Sequence, residues 1–484
     1  MVSLLREPAR PAIIRDHRLA PWLAVGAVCF GAFMGQLDAS VVTVAFPALQ
    51  RQFGTSLAAV QWVSLAYLLT LTAVLVPAGR WSDRVGRKLV YLYGFVVFAA
   101  ASAACGLAPS LGLLIVLRAV QAVGAAMLQA NSVAIVVTSV PGDRRRAALG
   151  IQAAAQAVGL ASGPLAGGLL VAVAGWRWVF FLNVPVGLIA VAAGWYLLPR
   201  TRDRVGRDGS DLPGTGLLAV TATAGMLAVS ALSGLRWPDW AAAGCAAAAV
   251  LAGTCLWHRE RRVRAPLLDF RMLAASGTGW ALAGALCSYL LLFGPLVLFP
   301  QVVTLRGGSA LQAGLLLTAL PAAFGLAAAC GDRVLGAQWT SRRRCIAGGT
   351  LAAVAAAGLA APLPDAAVAV LLGLLGAGLG LYTPANNAEI MTALPAREAA
   401  TAGGMVNMTR GIGTALGVAA VALGLHAASF TGLPGAGTAV SMALLAAAGV
   451  VAVAAAARSR PAAAGDGAGT GPGLPPVTPG DGTQ

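Results

Sequence analysis

Phe30-Gly31-Ala32-Phe33-Met34-Gly35-Gln36-Leu37-Asp38-Ala39-Ser40-Val41-Val42-Thr43-Val44-Ala45-Phe46-Pro47 is an apolar run with a carboxylate near its middle. Together with the apolar residues from position 20 it exceeds the roughly 20 residues that a helix needs to cross a bilayer. An aspartate at the centre of such a helix costs about 2.5–3.5 kcal/mol on insertion, so it faces a bundle interior or a wet cavity. Helical spacing places Asp38 on one face with Gly31 and Gly35, where a second helix or a cavity can come close. The stretch predicts a helical membrane bundle organised about a buried acid. Two roles for that acid stay open: a proton carrier, or a hydrogen-bonding group between helices.

The rest of the chain agrees. Its 484 residues are 58% hydrophobic and 10% charged, with mean hydropathy +0.80; a soluble domain carries about 25% charged residues. Apolar runs, cut at charges and Pro/Gly-rich breaks, number fourteen: 20–46, 57–79, 89–107, 110–138, 147–173, 178–198, 212–234, 240–257, 278–303, 311–335, 344–362, 367–391, 399–428 and 437–457. The net charge of +16 suits nucleic acid in principle, but its placement points to topology. With the N-terminus inside, outer loops hold Arg51, Arg177, Arg236 and Arg306 and the spans hold Arg118 and Arg410; every other Lys and Arg falls on the inner side. That asymmetry puts both termini in the cytoplasm of a multi-pass protein of the cell membrane, its excess base facing anionic headgroups and not nucleic acid. The basic start before a long apolar run reads as an uncleaved first span. Seven scattered cysteines and three distant histidines predict no disulfide, metal site or cofactor, and no nucleophile–base pair predicts an enzyme. Energy must then come from an ion gradient: one charge crossing 100 mV carries about 2.3 kcal/mol.

The sequence divides into a cytoplasmic arm (1–19), a six-helix bundle (20–200), a linker with two inserted helices (201–265), a second six-helix bundle (266–457) and a Pro/Gly/Ala-rich tail (458–484) expected to be disordered. After span 2 comes Gly79-Arg80-Trp81-Ser82-Asp83-Arg84-Val85-Gly86-Arg87-Lys88, read as a tight inner turn. A basic loop accounts for its Arg and Lys but not for the spacing of Gly79, Asp83, Arg84, Gly86 and Arg87. In span 4, Arg118, Gln121, Gln129 and Ser132 form a polar stripe. Arg118 either meets a partner inside the bundle or snorkels to the outer interface. In span 5, Gly159, Gly163 and Gly167 repeat every four residues, a flat packing face, with Pro164 to bend the helix.

These stretches resemble the major facilitator superfamily. The 79–88 segment is similar to its loop between spans 2 and 3, a conformational latch, which would make Gly79, Asp83, Arg84, Gly86 and Arg87 latch residues. Arg118-Ala119-Val120-Gln121-Ala122-Val123-Gly124 is similar to its span-4 pattern, whose Arg is linked to proton transfer, with Ala122 where Gly is usual. The Gly159–Gly167 face with Pro164 looks like the span-5 signature of its antiporters. Leu37–Pro47 and Trp176-Arg177-Trp178-Val179-Phe180-Phe181-Leu182-Asn183-Val184-Pro185 resemble the fourteen-span drug/proton antiporter branch, with Thr43 and Phe46 as departures. The resemblance implies an all-α protein of fourteen transmembrane helices, two six-helix bundles plus two inserted ones, that works as a monomer on small molecules and protons.

For proton coupling the candidates are Asp38, Arg118 and Glu389, the last with a plain interfacial role as its alternative. For the substrate cavity they are Tyr67, Gln121, Gln129, Gln156, Tyr289, Phe293, Asn386, Asn407 and Arg410; a pair between Arg410 and Glu389 is a further option. The expected function is proton-driven efflux of drugs or of lipophilic or cationic small molecules. Its rivals are an exporter dedicated to one metabolite and a non-transporting membrane receptor.

Overall fold

The computed structural model describes residues 7, 10–141, 144–200, 212–232, 238–263, 278–336, 338–392, 399–429 and 436–459. Within them run fourteen long helices: α1 (Ala20–Phe53), α2 (Trp62–Val85), α3 (Arg87–Gly106), α4 (Leu111–Ser139), α5 (Arg145–Val173), α6 (Asn183–Leu197), α7 (Leu212–Leu232), α8 (Asp239–Glu260), α9 (Thr278–Leu305), α10 (Ala310–Leu335), α11 (Ser341–Gly358), α12 (Asp365–Thr392), α13 (Ala399–Ser429) and α14 (Ala436–Arg458). Among the described residues twelve of them are long and apolar enough to cross a membrane, whereas the shorter, arginine-led α11 is not; α7 is a 21-residue helix without a charged residue. The linker residues 201–211 and 264–265 and the tail from 460 onward lie outside the described residues, so the division at 201–265 and the expected disorder of 458–484 are not decided there.

Short connections force successive helices to alternate in direction. The even number of crossings returns the end of α14 to the face where α1 begins, called the terminal face below; the opposite face is the distal one. Local signals mark the ends. Gly54, at φ 59°, closes α1 with its N–H on the Gln50 carbonyl. Ser110 and Thr340 cap α4 and α11 by accepting the N–H groups of Leu113 and Arg343. The expected turn at 79–88 is much tighter than its sequence suggested. Helix α2 continues through Val85, and Gly86 alone separates it from α3 at φ 130°, a backbone region that side chains disfavour.

In the first half α1 packs along α5, and α4 lies between α2 and α3. In the second half α12 lies between α10 and α11, and α9 lies between α13 and α14. The halves meet where α5 packs on α10, α2 on α13 and α1 on α9. Helices α7 and α8 pack on each other, with α7 against α2 and α13 at the seam. The glycine stripe of α5 serves its own half: a Cβ on Gly159 would strike the Phe33 carbonyl, and one on Gly163 would strike Ser40 Oγ. Pro164 and Gly168 turn the other way. A Cβ on Gly168 would meet the Ala310 carbonyl at 2.5 Å, and one on Gly314 would strike the Pro164 carbonyl. Small residues thus bring α5 to backbone contact with the acid-bearing helix on one side and with the opposite half on the other.

Candidate functional site: a sealed ion pair beside a central cavity

Asp38 lies in the interior of the first half, fully buried, with three donors on its carboxylate. Arg118 Nη1 donates to Oδ2 at 2.7 Å; Gln121 Nε2 and Asn183 Nδ2 donate to Oδ1 at 3.0 and 2.8 Å. Arg118 is equally buried. Its Nε donates to the Val63 carbonyl at 3.0 Å, and its Nη1 also reaches Gln121 Oε1 at 2.5 Å. Gln121 donates onward to Ser102 Oγ at 2.6 Å. The Arg118 guanidinium stands 4.2 Å from the centre of the Tyr67 ring and 5.7 Å from that of Phe180.

Five helices and the short Arg177–Phe181 turn therefore converge on one neutral pair. A charge pair removed from water is tolerable only when the remaining lone pairs and N–H groups are also bonded. Here Gln121, Asn183, Ser102 and the Val63 carbonyl meet that condition. Arg118 does not snorkel: although only seven residues from the distal end of α4, it turns inward to Asp38. Ser102 and Asn183 were not among the expected site residues. The available signal was a polar side chain among apolar ones in spans 3 and 6.

The central cavity lies beside this pair, between the two halves, and measures about 80 Å³. It is lined from α1 by Gly31, Gly35 and Gln36, from α2 by Tyr67, from α4 by Gln129 and Ser132, and from α5 by Gln156. The second half supplies Tyr289 and Phe293 of α9 with Asn407, Arg410 and Thr414 of α13. Seven of the nine expected cavity residues are thus brought together, and Gln36 is a wall residue the sequence did not single out. Gln121 and Asn386 are elsewhere. Gln121 belongs to the ion pair, and Asn386 donates to the Ala281 carbonyl at 2.8 Å inside the second half, near Tyr382, which donates to the Ala452 carbonyl. Asp38 itself is not on the wall. A separate gap of about 10 Å³, room for about one water, has Tyr67 and Phe293 in common with the cavity wall and Arg118 on its own wall.

On the distal side of the cavity the halves are joined. Gln61 Nε2 donates to the Val418 carbonyl at 3.0 Å in a buried position, and the Pro164–Gly168 and Gly314 backbones touch. Arg410 and Glu389 do not pair. Arg410 sits over the Tyr289 ring at 5.0 Å, while half-buried Glu389 accepts a hydrogen bond from Ser459 at 3.0 Å at the terminal edge. The expected latch residues are at that same face. Gly79 faces Ala130 of α4, Arg84 is exposed and Arg87 half-buried; the Asp83 side chain lies outside the described residues. Lys88 donates to the carbonyls of Trp195 and Leu198 at 2.8 Å each, tying the turn to the end of α6. Glu7 of the N-terminal arm lies over Gly86, and Arg200 donates to its carbonyl at 2.8 Å. No cluster able to hold a metal occurs among the described residues.

A multi-pass helical bundle with a polar cavity between two halves, joined on one side of it, is the architecture of a membrane transporter. The Major Facilitator Superfamily profile matches residues 28–418, and the chain belongs to that family. It is 33% identical over 410 residues to the methylenomycin A resistance protein of Streptomyces coelicolor, covering 84% of this chain and 86% of that one. It is 31% identical over 419 residues to the tetracenomycin C resistance and export protein of Streptomyces glaucescens, covering 85% and 77%. Among solved structures, a bacterial homologue of the human lysosomal transporter Spinster, inward-facing and unoccupied, superposes with TM-score 0.64 at 17% identity, over 92% of this chain and 97% of that one.

Proposed function

We propose that this protein is a proton-coupled efflux antiporter that carries antibiotics or other lipophilic small molecules out across the cytoplasmic membrane by alternating access. One observation carries the coupling: the Asp38–Arg118 pair is sealed from the central cavity yet separated from it by little more than the Tyr67 ring and a one-water gap. Protonation of Asp38 would remove the negative partner of a buried guanidinium. Such a loss costs about 3–5 kcal/mol, enough to drive Arg118 and Tyr67 to rearrange at the cavity wall. The proton and the cargo then compete through Arg118 rather than for one binding spot. Glu389, on the rim and bonded to Ser459, has no part in this scheme.

Positive-inside counting places the terminal face in the cytoplasm. The contacts at Gln61–Val418 and Pro164–Gly314 then close the outer side, and the cavity lies on the loading side for an exporter, with the turn at Gly86 as a latch between states. A drug-sized ligand needs about 300–1,000 Å³, so loading widens the cavity. The protein works as a monomer, with the proton gradient in place of any cofactor.

An exporter dedicated to one metabolite is the second reading. It is favoured by the two Streptomyces relatives, each of which is named for a single antibiotic. A receptor that does not transport has no use for a cavity bounded by separable halves.

The test is uptake of dyes and antibiotics into inside-out vesicles containing the protein. Accumulation is expected to stop when the pH and voltage differences are collapsed together with ionophores. Accumulation that continues undiminished would sink proton coupling.

A further inference from the structure

The charge of the cavity points to its cargo. Among the lining residues there is no carboxylate, and Arg410 is the one side chain that carries a charge in the main cavity. Unlike Arg118, Arg410 makes no hydrogen bond or ion pair with any described residue: its Nε is buried without a partner among them, and its guanidinium lies 5.0 Å from the centre of the Tyr289 ring. Tyr289 and Phe293 are stacked beside it, centres 6.5 Å apart at 18° between planes, as a flat aromatic shelf. Gln36, Gln129, Gln156 and Asn407 bring amide donors to the same space.

A guanidinium fork matches a carboxylate bidentately and is strongest where water is displaced. A cation placed in this cavity would meet Arg410 with no acid to offset it.

We propose that the cargo is a small organic anion with a planar apolar body, its carboxylate taken by Arg410 and its ring laid against Tyr289 and Phe293. This rests on the export reading above and narrows it, replacing the cationic cargo that the sequence suggested. It also has an electrical consequence. A proton entering and an anion leaving move charge in the same sense, so the membrane voltage drives both legs of the exchange.

The experiment uses three probes of one shape: 2-naphthoate, 2-naphthamide and 2-naphthylmethylammonium. They are titrated calorimetrically into the full chain in nanodiscs of zwitterionic lipid. The naphthoate is expected to bind about tenfold or more tighter than the other two, which corresponds to about 1.4 kcal/mol. Arg410→Gln should erase that preference, and Arg410→Lys should retain part of it, which separates charge recognition from misfolding. Equal or tighter binding of the ammonium or amide, an undiminished preference in Arg410→Gln, or no naphthoate binding up to its solubility each overturns the proposal. Naphthoate that binds through Arg410 but is not moved by a pH gradient would leave the anion site standing and count against export. Proton-driven export of other compounds without naphthoate binding would overturn the anion site alone.

Discussion

Arg118 and Arg410 are the same residue type in the spans of opposite halves, and their surroundings make them different objects. Arg118 is enclosed by Asp38, Gln121, the Val63 carbonyl and two aromatic rings. Arg410 has one aromatic face and a cavity. The interior of the first half is therefore a closed, neutral hydrogen-bonded network, whereas the second half satisfies Asn386 and Tyr382 on backbone carbonyls and turns its cation outward. A bundle can bury a charge permanently only where another helix supplies the counter-charge. Where none does, the charge belongs to a ligand or to water.

The largest effect that bears on this contrast is expected from Asp38→Asn. It should abolish pH-driven efflux in vesicles and, by stranding Arg118, destabilise the protein by about 3–5 kcal/mol in thermal unfolding. Adding Arg118→Gln should restore much of the stability and none of the coupled transport; a double variant that regains transport would dissolve the distinction between the arginines.

Gly163→Val comes next, since its side chain must displace Ser40 and Val41 beside Asp38. Overpacking of this kind costs about 1–3 kcal/mol, whereas Gly150→Ala, with nothing near its Cβ, should stay within about 0.5 kcal/mol.

Gln61→Leu removes one buried hydrogen bond between the halves, about 0.5–1.5 kcal/mol. The distal opening should then be populated more, read as a shift in spin-label distances across the α2–α13 contact. Arg410→Gln should change thermal stability by no more than about 0.5–1 kcal/mol, because among the described residues the guanidinium has no hydrogen bond or ion pair to lose, only the Tyr289 ring face. Glu389→Gln should leave proton-driven efflux within about twofold of the parent, as expected of a partly exposed rim group.

Much of the architecture was legible because lipid imposes it. Runs of about 20 apolar residues, arginines kept to one side and glycines four apart each have a single physical use in a bilayer. The Asp38 stretch announced a buried acid for the same reason. What the pattern left open was direction. Spacing placed Arg118 near the distal end of its helix, equally able to snorkel or turn inward; Asp38 across the bundle, 80 positions away, decided it. Gln121 and Gln129 share a polar stripe, yet the first joins the ion pair and the second the cavity wall, since the stripe is wide enough to face two spaces. Asn183 was hidden in an aromatic segment whose interfacial character explained the residues around it.

The amino-acid sequence by itself determined that the chain forms a multi-pass helical bundle in the membrane and which helices can approach to backbone contact. These follow from local composition and periodicity, which act without knowledge of distant residues. Only the tertiary structure decided which charges neutralise each other and which look into the cavity. That choice depends on where helices from far apart in the chain cross, and a buried charge takes its meaning from whatever lies within a few ångströms of it.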